Sequence, residues 1–113
     1  MLKMTETAER RHARVRYSSG TVMVRASKSS PFVEGSLVDI SISGCSIKTV
    51  EPLSVSPEDV LELRIDLSTL VFRAIGFVRR ASAGSLSLGI EFHRIAEQDK
   101  NDLATLIDYY AEA

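Results

Sequence analysis

Short stretches of alternating apolar and polar residues make up most of this chain. The clearest example runs from Leu61 to Leu67, where four apolar residues alternate with three charged ones. Successive side chains of a β-strand point to opposite faces, so this alternation predicts a strand with one face in a core and the other in water. A chain dominated by such stretches is restricted to a mainly β fold.

Five further stretches predict strands, over residues 21–25, 32–41, 45–50, 70–80 and 86–92, and residues 81–85 predict a hairpin turn between the last two. Within the predicted strand 32–41, alternation assigns Val38 and Ile40 to one face and Leu37, Asp39 and Ser41 to the other. Asp39 and Ser41 are then expected to converge on one ligand. Six short strands predict a small antiparallel β-barrel, because closure hides strand edges that would otherwise aggregate.

The last part of the chain has a different period. Leu103, Leu106, Ile107 and Tyr110 recur at helical spacing, with charged residues between them. This pattern predicts an amphipathic C-terminal α-helix that packs on the barrel.

Length and composition set the domain organisation. A chain of 113 residues forms one domain, and we expect a flexible tail over residues 1–8 and a single β-barrel domain over residues 9–113. No apolar run approaches the roughly 20 residues that span a bilayer, and the first residues lack the apolar core of a signal peptide. The expected location is therefore cytoplasmic, without membrane insertion.

Positive charge is concentrated near the start of the chain. Residues 1–30 contain seven lysines and arginines against two acidic residues, whereas the remainder contains seven against thirteen. A local basic segment on an acidic body favours a small anionic ligand over bulk nucleic acid.

Two motifs carry the chemistry expected of a nucleotide site. In the first, Arg10 and Arg14 supply planar guanidinium groups, which bind phosphate or the O6/N7 edge of guanine in two-point contacts. The second supplies a carboxylate from Asp39, a hydroxyl from Ser41 and a conformationally permissive residue at Gly44. The combination suits a ligand that is both anionic and guanine-bearing.

The order Arg-x-x-x-Arg followed by Asp-x-Ser-x-x-Gly resembles the PilZ domain family, bacterial receptors for the second messenger cyclic di-GMP. The resemblance extends through the Gly89-Ile90-Glu91-Phe92 segment to the C-terminal helix. It implies that Arg10, Arg14, Asp39, Ser41 and Gly44 bind cyclic di-GMP, with no metal and no cofactor. It also implies second-messenger signalling, in which the ligand orders the arginine segment and an unidentified downstream protein partner reads the changed surface.

Other interpretations remain open. Glu9 stands where family members often have a further arginine, which leaves room for a protein-interaction adaptor that binds no nucleotide. A nucleic-acid-binding barrel is disfavoured by the acidic body and by only seven aromatic residues. Catalysis is not expected, because His12, His93 and Cys45 have no partner at a recognisable spacing. Whether Arg11, Arg16 or Arg80 assists binding is not decided by the sequence.

Overall fold

The computed structural model describes residues 14–17, 19–81 and 86–112. The predicted tail 1–8, the hairpin turn and the candidate ligand residue Arg10 therefore lie outside the described part of the chain, apart from Ala81 at the start of that turn.

Within these described ranges, seven strands precede one helix: β1 Val15–Arg16, β2 Thr21–Arg25, β3 Val33–Ser41, β4 Gly44–Thr49, β5 Val60–Asp66, β6 Val71–Ala81, β7 Ser87–Ile95 and α1 Glu97–Glu112.

Six of the strands close into an antiparallel barrel. The hydrogen-bonded order is β3, β2, β5, β6, β7 and β4, and β4 pairs back onto β3. The two-residue strand β1 adds to the other side of β3 near its end. The predicted mainly β fold, a six-stranded barrel with a C-terminal helix, is confirmed; β1 was not predicted.

The core of the barrel consists of apolar side chains from the inner faces of the strands. Leu61, Leu63, Ile65 and Leu67 are all completely buried, as the alternating pattern of β5 predicts. Helix α1 contributes Leu103 and Ile107 to the same core, while Leu106 is only partly buried. Tyr110, the last residue of the predicted apolar stripe, is exposed on one side but packs edge-on against Tyr17 with ring centroids 5.3 Å apart. None of the helices in the described ranges is long and apolar enough to cross a membrane.

The predicted faces of β3 are partly wrong. Leu37 is buried and Val38 is exposed, yet Ile40 is buried again. The pairing of β3 with β4 shifts register between Leu37 and Asp39, and the extra residue of such a β-bulge breaks the alternation. Val38 and Ile40 therefore do not share a face, and neither do Leu37 and Asp39.

Candidate functional site

The two sequence motifs meet where β1 pairs with β3. Arg16 lies opposite Asp39 in this antiparallel pair, and Arg14 directly precedes β1. Nη1 of Arg14 donates a hydrogen bond to Oδ1 of Asp39 at 2.5 Å, across a separation of 25 residues. The structure thus brings together one residue from each motif.

This ion pair lies at the surface. The side chain of Arg14 is 46% exposed and that of Asp39 is 23% exposed. Exposed ion pairs contribute only about 0–1 kcal/mol, because water screens the charges and two side chains lose rotamer freedom. The contact with Asp39 therefore restrains the side chain of Arg14 only weakly.

Ser41 is completely buried and occupied by local hydrogen bonds. Its Oγ accepts the backbone N–H of Ser43 at 3.1 Å and lies 3.0 Å from the Oγ of Ser43. These contacts stabilise the two-residue turn between β3 and β4. Ser41 therefore stabilises the turn. It does not lie beside Asp39 on an accessible face, as the alternation predicts.

Gly44 is the first residue of β4 instead of a turn residue, and its φ lies outside the left-handed region. A Cβ at this position would overlap with the backbone carbonyl oxygen of Ile90 on β7. The glycine is required by the close approach of two strands, and the predicted explanation of a special turn conformation is wrong.

Two adjoining surface depressions extend from these motif residues across β4, β6 and β7. The larger, about 600 Å³, includes Asp39 and Ser46; the smaller, about 330 Å³, includes Arg14 and Gly44. Both are lined by Arg79, Arg80 and Gly89, so they form a continuous site, which we call the motif site. Their volumes fall in the range of small-molecule sites.

Two consecutive arginines face outward here because of a second bulge. The pairing of β6 with β7 shifts register between Val78 and Arg80, and both Arg79 and Arg80 are exposed. Strict alternation would have pointed one of them into the core. The sequence left Arg80 undecided and did not identify Arg79, because the position of the bulge depends on how β6 pairs with β7.

The two arginines differ in their electrostatic surroundings. Nε of Arg79 donates to Glu91 at 2.5 Å and Nη1 donates to Glu58 at 2.7 Å. The hydrogen bond to Glu91 is the main reason why the pKa of Arg79 is raised. Arg79 is thus already surrounded by carboxylates.

Arg80, by contrast, donates to the hydroxyl of Ser46, at 3.2 Å. Among the described arginines of the motif site, it alone has no carboxylate partner. Its guanidinium group lies directly over Gly89, where an added Cβ would approach Nε and Nη2 to 2.8 Å. Within the described residues, Arg80 therefore presents to the site a cation without a carboxylate partner. The contributions of Ser46 and Gly89 to its position were not visible in the sequence.

Of the groups considered for catalysis, His12 lies outside the described residues, whereas Cys45 and His93 lie within them. Burial raises the pKa of the Cys45 thiol to about 12, so this thiol is not a ready nucleophile. The His93 ring packs on Phe77, with centroids 4.8 Å apart. Within residues 14–17, 19–81 and 86–112, no three His, Cys, Asp or Glu side chains are grouped as metal ligands.

Solved structures share this architecture at low sequence identity. The Bacillus subtilis inhibitor of motility MotI/DgrA superposes with a TM-score of 0.77 at 19% identity, over 91% of this chain and 51% of that one. The PilZ domain of Escherichia coli YcgR, determined with c-di-GMP, gives 0.71 at 12% identity over 92% of both chains. MrkH from K. pneumonia, as its c-di-GMP complex, gives 0.68 at 18% identity over 91% and 52%.

This chain thus spans about half the length of the MotI/DgrA and MrkH chains. A comparison with curated protein sequences finds no match. A family model described as the PilZ domain matches residues 8–109, nearly the whole chain and both motifs. The chain belongs to the PilZ domain family.

Proposed function

We propose that this protein is a receptor domain for cyclic di-GMP. The observation that carries the proposal is the contact between Arg14 and Asp39 at the motif site, which also presents the guanidinium of Arg80, without a carboxylate partner among the described residues. Family membership supports it, as do the c-di-GMP complexes of the YcgR PilZ domain and of MrkH. A receptor of this kind acts by binding rather than by catalysis, in the cytoplasm of a bacterium.

The residue roles follow from charge and geometry. Arg10 and Arg14 clamp phosphates or guanine edges, and Asp39 accepts hydrogen bonds from guanine N–H groups. Ser41 contributes through the turn that it stabilises, and Gly44 through the close packing of β4 on β7. We add Arg80, whose planar guanidinium can stack on a base or bind phosphate.

Binding exchanges weak contacts for stronger ones. The exposed Arg14–Asp39 pair costs little to break. A guanidinium–phosphate contact is stronger, because it has two parallel hydrogen bonds between oppositely charged groups. In the free protein, Arg14 therefore lies at the motif site in a weak ion pair, which it can exchange for a contact with the ligand.

Calorimetric titration with cyclic di-GMP tests the proposal. We expect saturable binding, and we expect Arg14→Ala to weaken it at least about tenfold, because a hydrogen bond to a charged group contributes about 1.5–3 kcal/mol.

Asp39→Ala should also weaken binding while leaving the melting temperature close to that of the parent, because the ion pair is exposed. Arg73→Ala, an exposed arginine elsewhere on β6, is the matched control and should bind normally.

Absence of any binding heat, or equal affinity in Arg14→Ala and the control, would refute the receptor assignment. The first of these results would favour the adaptor that binds no nucleotide.

We further propose that the ligand orders the segment before β1 and that a downstream protein reads this change. Val15 and Arg16 already pair with β3, so the ordering concerns residues 9–13, which lie outside the described ranges. Hydrogen exchange should show protection of residues 9–13 only with cyclic di-GMP, and protection of β5 in both states. Equal protection of 9–13 with and without ligand would refute the ordering mechanism while leaving the receptor assignment intact.

A further inference from the structure

A second group of arginines lies on the outer wall of the barrel. Arg25 on β2, Arg64 on β5, Arg73 on β6 and Arg94 on β7 all point outward from neighbouring strands; we call this surface the second basic face. Arg64 and Arg73 are direct cross-strand partners, a placement in which like charges repel. The face therefore attracts negative charge more strongly than isolated surface arginines would.

The cations of this face are largely uncompensated. Glu62 is already occupied, because Nε of Arg25 donates to it at 3.0 Å and lowers its pKa. Across the described residues, no carboxylate lies within ion-pair distance of Arg73, Arg94 or the nearby Lys28. Three positive charges are thus available to a partner.

These three cations surround a cavity with an apolar floor. The cavity measures about 290 Å³, and its apolar lining consists of Ala74, Ile75, Ile95 and Ala96. One carboxylate, that of Glu62, also lines it, and this carboxylate is paired with Arg25. Its volume is at the lower limit of small-molecule sites, and it suits one apolar side chain rather than a dinucleotide. Protein interfaces commonly have an apolar centre surrounded by a polar rim, and this cavity with its surrounding cations has the same arrangement.

The second basic face is separate from the motif site. Arg73 and Arg80 are seven residues apart on β6, and a strand rises about 3.3 Å per residue, so roughly 20 Å separates them. Both surfaces can therefore be occupied at the same time.

The chemistry of the face selects among anionic partners. Guanidinium groups bind carboxylates through paired hydrogen bonds, and the apolar floor favours a partner with an apolar residue between its acidic ones. Single-stranded nucleic acid would need a free aromatic platform. The candidate, Phe32, is instead engaged by the guanidinium groups of Arg25 and Arg64, each 4.4 Å from its ring centroid.

We propose that the second basic face is a docking surface for an acidic protein segment that carries an apolar anchor residue. The carboxylates pair with Arg73, Arg94 and Lys28, and the anchor enters the cavity beside Ile75. This inference does not depend on cyclic di-GMP binding at the motif site.

The test uses the full chain labelled with ¹⁵N and an unlabelled peptide of glutamates and aspartates with one central leucine. We expect amide shifts to concentrate around Arg73, Ile75 and Ala96. Replacing the peptide's leucine by serine should weaken binding several-fold, since the apolar contact is lost. The double variant Arg73→Glu/Arg94→Glu should weaken it at least about tenfold, whereas the control Lys100→Glu, an exposed charge on α1, should not.

Circular dichroism melting verifies that the double variant is folded, and Ile75→Ser, which keeps all the charges, provides a second variant that should also weaken binding. The proposal is overturned if no shifts occur, if the shifts lie at the motif site, or if both charge variants bind equally. It is also overturned if a single-stranded oligonucleotide of equal charge displaces the peptide, because the face would then recognise nucleic acid.

Discussion

Replacing Gly44 by alanine should lower the free energy of unfolding by about 3 kcal/mol, the upper end of the usual cost of overpacking. The added Cβ would overlap with the carbonyl oxygen of Ile90, and a backbone atom cannot turn aside as a side chain can. Strands β4 and β7 must separate, which weakens the closure of the barrel. For a domain of this size, thermal melting should show a decrease of roughly 10 °C or more.

Gly89→Ala is the matched control for this prediction. The three atoms nearest to a Cβ at Gly89 all belong to the end of the Arg80 side chain, which can turn aside, so stability should change little. The guanidinium of Arg80 would be displaced from the motif site, however, and the affinity for cyclic di-GMP should fall. If Gly44→Ala melts like the parent, the close approach of β4 and β7 does not explain this glycine.

Truncating Leu103 to alanine should destabilise the protein by about 2–5 kcal/mol, because a cavity replaces a buried side chain. Leu103 is completely buried in the core that α1 shares with the barrel. Chemical denaturation should show a lower midpoint with an unchanged slope, since the same surface is exposed on unfolding.

Thr105→Ala tests the same helix on its exposed side. Its hydroxyl donates to the carbonyl of Asn101, at 3.2 Å, and such surface changes usually stay within about 0.5 kcal/mol. Equal stability of the Leu103 and Thr105 variants would mean that α1 contributes no core contacts.

The Leu103→Ala variant should also affect the candidate site. Helix α1 contacts β1 and β3, the strands that position Arg14 and Asp39. Loosening the helix should therefore reduce ligand affinity indirectly, although no residue of α1 lines the two depressions of the motif site.

Strand β5 and helix α1 could be predicted because their periods are local properties of the chain. Each packs one continuous face on the core, so apolar residues recur at the spacing of that element alone. The motif residues were likewise visible, since guanidinium and carboxylate groups at fixed spacing have a recognisable chemistry whatever surrounds them. That these residues bind a nucleotide stays a prediction until the titration is done.

The sequence by itself thus determined a mainly β barrel with a C-terminal helix, because hydrophobic periodicity acts within each element. Only the tertiary structure decided how the motif site is built. The bulges that leave Asp39 accessible beside Val38, and Arg80 exposed beside Arg79, arise from pairing between strands that are distant in the sequence. Likewise, Gly44 is needed because β7 passes close to it, and no property of the residues around it in the sequence encodes that distance.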